Sequence, residues 1–316
     1  MEFSVFRECV LEKLREIIKS DDEVKLFCAT KNNGIEQWSV IIKEPGLNIS
    51  PTIYLETYYE EYVSSICDIT TIAREIYDFY LSHKMDVPFD AESFFDYKKV
   101  KERIYCKLIN TKKNEELLKK VPHKEFLDLS IVFYFMMCEQ EEGTQTVLIY
   151  NNHLKIWNID LEQLYIQATK NTINGQNVEL KTMSGIIFEL TGNIAADKKD
   201  DIDSMEEYLK EITQNEQNSD FPMYVLTNKS KVYGATCMLY KNLLKSFADS
   251  MMSDIYILPS SIHEVILIPL RTKDSIAEYR NMVKEVNETE LDPQEILSDN
   301  VYIYNRETDE IILPAV

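Results

Sequence analysis

The sequence predicts an α+β protein of two mixed units, each with a mainly antiparallel sheet and packed helices. Three observations carry that prediction. Apolar residues at three- and four-residue spacing alternate along the chain with short β-rich runs. Several of those runs come in pairs joined by turn sequences, as hairpins do. At 316 residues the chain also exceeds the size at which one core usually suffices, since domains cluster at roughly 100 to 200 residues.

Phe3, Phe6, Val10, Leu14 and Ile17 place one apolar stripe on an opening helix. VKLFCATKNNGIEQWSVII then holds two β-rich runs around Asn33-Gly34, a dipeptide suited to the positive φ angles of a hairpin turn. A short strand is expected at Thr52 to Leu55, then two helices with a break near Cys67-Asp68. The tyrosines at 54, 58, 59 and 62 read as half-buried helix packing. A short helix from Ala91 to Tyr97 leads to a strand from Arg103 to Ile109. Leu127 to Cys138 and Thr146 to Tyr150 form a hairpin, apolar enough to predict two central strands. Asp160 caps a helix from Leu161 to about Lys170.

Between Asp197 and Asp220 stand nine acids against three bases with little apolar content. That stretch reads as a linker between an N-terminal domain, 1–196, and a C-terminal domain, 221–316. The second domain is expected to hold strands at Met223 to Leu226, Ala235 to Leu239, Ile255 to Leu258 and Val265 to Ile268. Helices are predicted at Lys241 to Met251, at Ser275 to Val286 and briefly near Pro293, before a final hairpin, VYIYNRETDEIIL.

The net charge of −20 is spread over both halves and densest in the linker. Such a field repels phosphate backbones, so direct nucleic-acid binding is not expected. The first 20 residues lack the basic stretch and unbroken apolar run of an export signal, and the longest apolar run, Ile131 to Cys138, is eight residues, against roughly 20 needed to span a bilayer. A cytoplasmic protein without membrane association is expected. Six cysteines, at 9, 28, 67, 106, 138 and 237, form no CxxC pair, and those within apolar stretches read as small core hydrophobes.

With only seven glycines, the chain contains neither GxGxxG nor GxxxxGK[ST], which need glycine where backbone amides approach phosphate. GxSxG is likewise missing. His263-Glu264 begins like HExxH but ends in Leu267 on an expected strand, where the two positions do not share a helical face. His83 falls at a helix end, His123 at a strand entry and His153 in a loop. No cofactor and no metal site is therefore expected. One constellation stands out: Ser260, Ser261, His263 and Glu264 beside a strand-turn-strand, with Asp254 nearby. These residues offer hydroxyl, imidazole and carboxylate, although alternate strand residues point to opposite faces.

KNNG with ISPTIYLE, VPHKEFLDLSIVFYF, MYVLTNKSKVYGA, DIYILPSSIHEVILIP and LSDNVYIYNRET resemble the domain of unknown function 5688, a family of uncharacterised bacterial proteins, over nearly the whole chain. The order of elements is similar to that of another uncharacterised family, the domain of unknown function 1444. Neither resemblance implies catalytic residues. The expectation is a non-catalytic protein that binds an unidentified protein partner, with Asp254 and the Ser260 to Glu264 turn as the contact region. Two alternatives stand beside it: a hydrolase using Ser260 or Ser261 with His263 and an acid, and an acidic DNA mimic.

Overall fold

The computed structural model describes residues 1–18, 21–84, 90–140, 143–175, 177–190, 222–259, 261–271 and 275–315. The expected linker, 197–220, and Ser260 lie outside the described residues. The chain divides into two compact units, Met1–Phe94 and Phe95–Val316. No helix among the described residues is long and apolar enough to cross a membrane.

In the first unit the apolar stripe forms α1 (Phe3–Ile17), burying Phe6, Val10, Leu11 and Leu14. The hairpin follows as β1 (Glu23–Thr30) and β2 (Glu36–Lys43), in register from Glu23 opposite Lys43 to Thr30 opposite Glu36. Asn33 and Gly34 take φ of 60° and 72°. Their loop is longer than a two-residue turn, because Lys31 N–H closes onto Ile35 O at 2.7 Å. β3 (Thr52–Tyr54) completes a three-stranded antiparallel sheet. α2 (Glu56–Val63) and α3 (Ile69–His83) are separated at the expected break, where Asp68 caps α3 by accepting Thr71 N–H at 2.8 Å. Val40, Ile42, Ile53, Ile72, Ile76 and Tyr80 join the α1 stripe in one core. The Arg7 guanidinium stacks on the Trp38 ring at 3.6 Å.

The second unit follows α4 (Ala91–Phe94), which ends the first, and opens with α5 (Tyr97–Val100). Its first sheet holds β4 (Ile104–Asn110), β5 (His123–Phe126), β6 (Leu129–Gln140) and β7 (Gly143–Leu148), with α6 (Glu115–Leu118) between β4 and β5. β6, whose run from Ile131 to Phe135 is buried, pairs with all three other strands. It is central as predicted. Among the described residues β7 pairs with β6 alone, and its residues 145–148 are half-buried, which corrects the prediction of two central strands. α7 (Asn151–Trp157) holds His153, which the sequence placed in a loop. α8 (Leu161–Gly175) starts at a capping box: Asp160 accepts Gln163 N–H at 2.8 Å, and the Gln163 side chain accepts Asp160 N–H at 3.1 Å. From α8, Asn171 donates to Ile104 O at 2.8 Å and Thr172 accepts Cys106 N–H at 3.0 Å, fastening the helix to β4.

The other sheet of this unit has six antiparallel strands. In chain order they are β8 (Val178–Thr182), β9 (Tyr224–Asn228), β10 (Ile255–Leu258), β11 (Val265–Pro269), β12 (Tyr302–Asn305) and β13 (Glu310–Ile312). Their spatial order is β13-β12-β10-β11-β9-β8. Between them run α9 (Met183–Leu190), α10 (Lys241–Met251) and α11 (Ile276–Thr289). Ala235 to Leu239, expected as a strand, instead fall in a 3-10 helix, Gly234–Leu239. The segment after Asp292 is a turn, not the expected short helix. Asp128, in the β5–β6 turn, ties the two sheets together. It accepts the Tyr302 hydroxyl at 2.7 Å, the Ser298 hydroxyl at 2.6 Å and the Asn300 amide at 3.0 Å.

Candidate functional site

The turn between β10 and β11 is locked from within and from behind. Ser261, 1% exposed, donates its hydroxyl to Glu264 Oε1 at 2.9 Å and accepts His263 N–H at 2.9 Å. Its own N–H reaches Glu264 O at 3.3 Å. Behind the turn lies the segment from Asn228 to Gly234. Buried Asn228 folds it by donating to Val232 O at 2.8 Å and accepting Val232 N–H at 3.2 Å. Lys231 and Tyr233 take φ of 55° and 54°. Gly234 lets the segment press onto the turn. A Cβ there would lie 2.2 Å from Thr227 Oγ1 and 2.4 Å from His263 O.

His263 faces away from Ser261. Its Nδ1 accepts Tyr233 N–H at 3.2 Å, its ring stacks on Tyr233 at 5.8 Å, and its Nε2 lies 3.8 Å from Glu295 Oε1. With Nδ1 accepting a backbone N–H, the neutral ring carries its proton on Nε2. No hydrogen bond joins the Ser261 hydroxyl to the imidazole, so these two do not form a nucleophile and base. Asp254 sits at the other end of β10, where it accepts Arg306 N–H at 2.8 Å and braces the β12–β13 turn. The sequence brought Ser261, His263 and Glu264 together; Asp254 belongs elsewhere.

The other histidines are also committed. His123 Nδ1 is 3.1 Å from Val121 O, and His83 stacks on Phe79 at 3.9 Å. His153 Nδ1 accepts Tyr150 N–H at 3.2 Å, and burial pushes its pKa below the ordinary histidine value. Cys9, Cys28, Cys67, Cys106 and Cys237 are free thiols. Burial pushes Cys106 up to about 11 and Cys237 up to about 12, which makes both poor nucleophiles. Cys28 is only half-buried, and the Cys138 side chain lies outside the description.

Two features escaped the sequence. One is a cavity of about 500 Å³ in the second unit, lined by Lys124, Glu125 and Phe126 of β5, by Tyr165 of α8, and by Asp309, Glu310 and Ile311 at β13. Among the described residues β5 and β13 are the outer strands of their sheets at this point, each paired on one side. The Lys124 ammonium is held by Glu162 at 2.6 Å and lies 4.1 Å over the Tyr165 ring. Asp309 accepts the Tyr304 hydroxyl at 2.6 Å, which, after burial, raises that phenol's pKa. Glu125 and Glu310 are exposed at the rim. The second feature, in the first unit, is the convergence of Glu61, Cys67 and Glu75, whose ligand atoms lie within 4.8 Å of one another. Neither follows a short sequence motif.

A family model described as "Family of unknown function (DUF5688)" matches residues 3–306. No curated protein and no solved structure matches the chain.

Proposed function

Because the chain belongs to this family of unknown function over nearly its whole length, its activity has to be argued from its own residues, and we propose a non-catalytic, cytoplasmic protein that binds an extended, basic segment of a protein partner. The observation that carries the reading is the cavity of about 500 Å³ bounded by two outer strands, with three carboxylates and one neutralised lysine. A strand edge offers unpaired backbone N–H and C=O groups, to which an extended segment adds as a further strand. Its side chains would then meet Phe126 and Ile311 together with the carboxylates of Glu125, Asp309 and Glu310, all of which line the cavity. The net charge of −20 favours encounter with a cationic partner. Free thiols fit a reducing compartment.

The contact region thereby moves from the Ser260 to Glu264 turn to the cavity. Ser261 spends its hydroxyl within the turn, and His263 spends Nδ1 on Tyr233. The test is fluorescence anisotropy with a labelled peptide alternating valine and lysine, beside one alternating valine and glutamate. The lysine peptide is expected to bind and to weaken as salt rises. Glu125→Lys with Glu310→Lys, both on exposed residues, should weaken it by about tenfold or more. Equal binding of both peptides, or binding untouched by the double charge reversal, refutes the reading.

A further inference from the structure

We propose that Glu61, Cys67 and Glu75 form a binding site for one divalent transition-metal ion of the zinc class. The three donors come from three successive pieces of backbone that the first unit holds firmly. α2 ends with Ser64 N–H on Glu60 O at 2.9 Å and Ile66 N–H on Glu61 O at 3.0 Å, while Ser65 turns the chain at φ of 57°. Asp68 then caps α3. Cys67 is thus pinned between a helix end and a helix start, with one side packed against the core. Glu61 points in from the last turn of α2, and Glu75 from the second turn of α3.

One sulfur and two carboxylate oxygens all lie within 4.8 Å of one another. Ligand atoms around a four-coordinate zinc, with bonds of about 2.0 to 2.3 Å, stand roughly 3.3 to 3.7 Å apart, so the side chains need close by only about an ångström. Among the described residues no hydrogen bond or ion pair engages any of the three side chains, and two carboxylates stand around one thiol; the Arg74 cation, next to Glu75 in the chain, acts on Asp68 instead. That arrangement is repulsive until a positive charge enters it. Tyr58, one turn before Glu61, registers the same field: burial first, then Glu75 and Glu61, raises its phenol.

The donor set selects the ion class. A thiolate favours zinc, cobalt or another borderline-soft ion over magnesium or calcium, and two carboxylates with one thiolate leave the fourth tetrahedral position for water. Burial, then Glu75, Glu61 and Asp68, raises the Cys67 thiol. Binding accordingly exchanges one proton for the ion: the S–H bond breaks, a sulfur–metal bond forms, and the proton passes to buffer.

The test is titration of the full chain with Co²⁺, followed by absorbance. A near-ultraviolet sulfur-to-cobalt charge-transfer band should appear, saturate at one ion per chain and disappear when Zn²⁺ is added. Cys67→Ser should abolish the band, while Cys28→Ser leaves it. Glu75→Gln, on an exposed side chain, should weaken zinc binding by at least the roughly 10- to 100-fold that loss of a supporting ligand contact costs, with the protein still folded by circular dichroism. A cobalt spectrum without a sulfur band, a band that survives Cys67→Ser, or zinc affinity unchanged in Glu75→Gln overturns the proposal. Diffuse cation binding to an acidic surface would give no sulfur band and so counts against it.

Discussion

Replacing Asp128 by alanine tests whether one carboxylate fastens the two sheets of the second unit. Asp128 accepts three hydrogen bonds, from Tyr302, Ser298 and Asn300. Tyr302 and Ser298 are fully buried, so their hydroxyls would be stranded at a cost of about 1 to 3 kcal/mol each. Asn300 is partly exposed and can turn to water. The expected destabilisation is therefore roughly 2 to 6 kcal/mol. Tyr302→Phe alone should cost about 1 to 2 kcal/mol. In the alanine background it should cost less, because it removes a stranded hydroxyl, which gives a coupling of at least about 1 kcal/mol. Urea unfolding measures this. The chain has two tryptophans, Trp38 in the first unit and Trp157 in the second, so in a Trp38→Phe background fluorescence reports the second unit alone. An Asp128→Ala variant within about 0.5 kcal/mol of its parent, or a cycle additive to about 0.3 to 0.5 kcal/mol, would refute the reasoning.

Three further outcomes follow from the same structure. Gly234→Ala should destabilise the second unit by about 1 to 3 kcal/mol or more, since its Cβ would meet Thr227 Oγ1 and His263 O; unchanged Trp157 unfolding would contradict that close approach. His153, its pKa lowered by burial, binds its proton more readily when unfolded. Its stabilising contribution is thus complete above the unfolded value of 6.5 and is lost as pH falls through the folded value. The urea midpoint should fall between pH 7.5 and 5.5 in the wild type and fall less in His153→Gln, and parallel profiles would argue against it. Iodoacetamide at pH 8 should leave Cys106 and Cys237 unlabelled by mass spectrometry until urea unfolds the chain, because both are buried with raised pKa values; labelling in the native protein would contradict the packing.

Where local spacing decides an element, the sequence was legible. α1, the Asn33-Gly34 hairpin, the break at Asp68 and the Asp160 cap all stand where their residues predict. Legibility fails where a distant partner decides. Ala235 to Leu239 is apolar enough for a strand, yet Gly234 presses against Thr227 and His263 and the segment coils into a 3-10 turn. β8 buries only Leu180 and gives a faint periodicity. The seam between units falls between Phe94 and Phe95, inside the stretch from Ala91 to Tyr97 that reads as a short helix and not as a linker. The same holds for the candidate sites. Ser261, His263 and Glu264 are neighbours in sequence, but the partners that orient the imidazole, Tyr233 and Glu295, come from about 30 residues to either side. Glu61, Cys67 and Glu75 meet only because two helices are folded back around Ser65, a relation that ligand-spacing motifs do not encode.

The pairing of β8 with β9, from Val178 opposite Asn228 to Thr182 opposite Tyr224, has a consequence for how the second unit folds. Thr182 and Tyr224 stand about 5 Å apart, one strand spacing, although 42 positions separate them in the chain. The entropy of closing such a separation grows slowly with length, about 0.6 kcal/mol per doubling. The five residue pairs of that ladder are therefore non-local contacts, of the kind that slows folding more than it weakens the folded state.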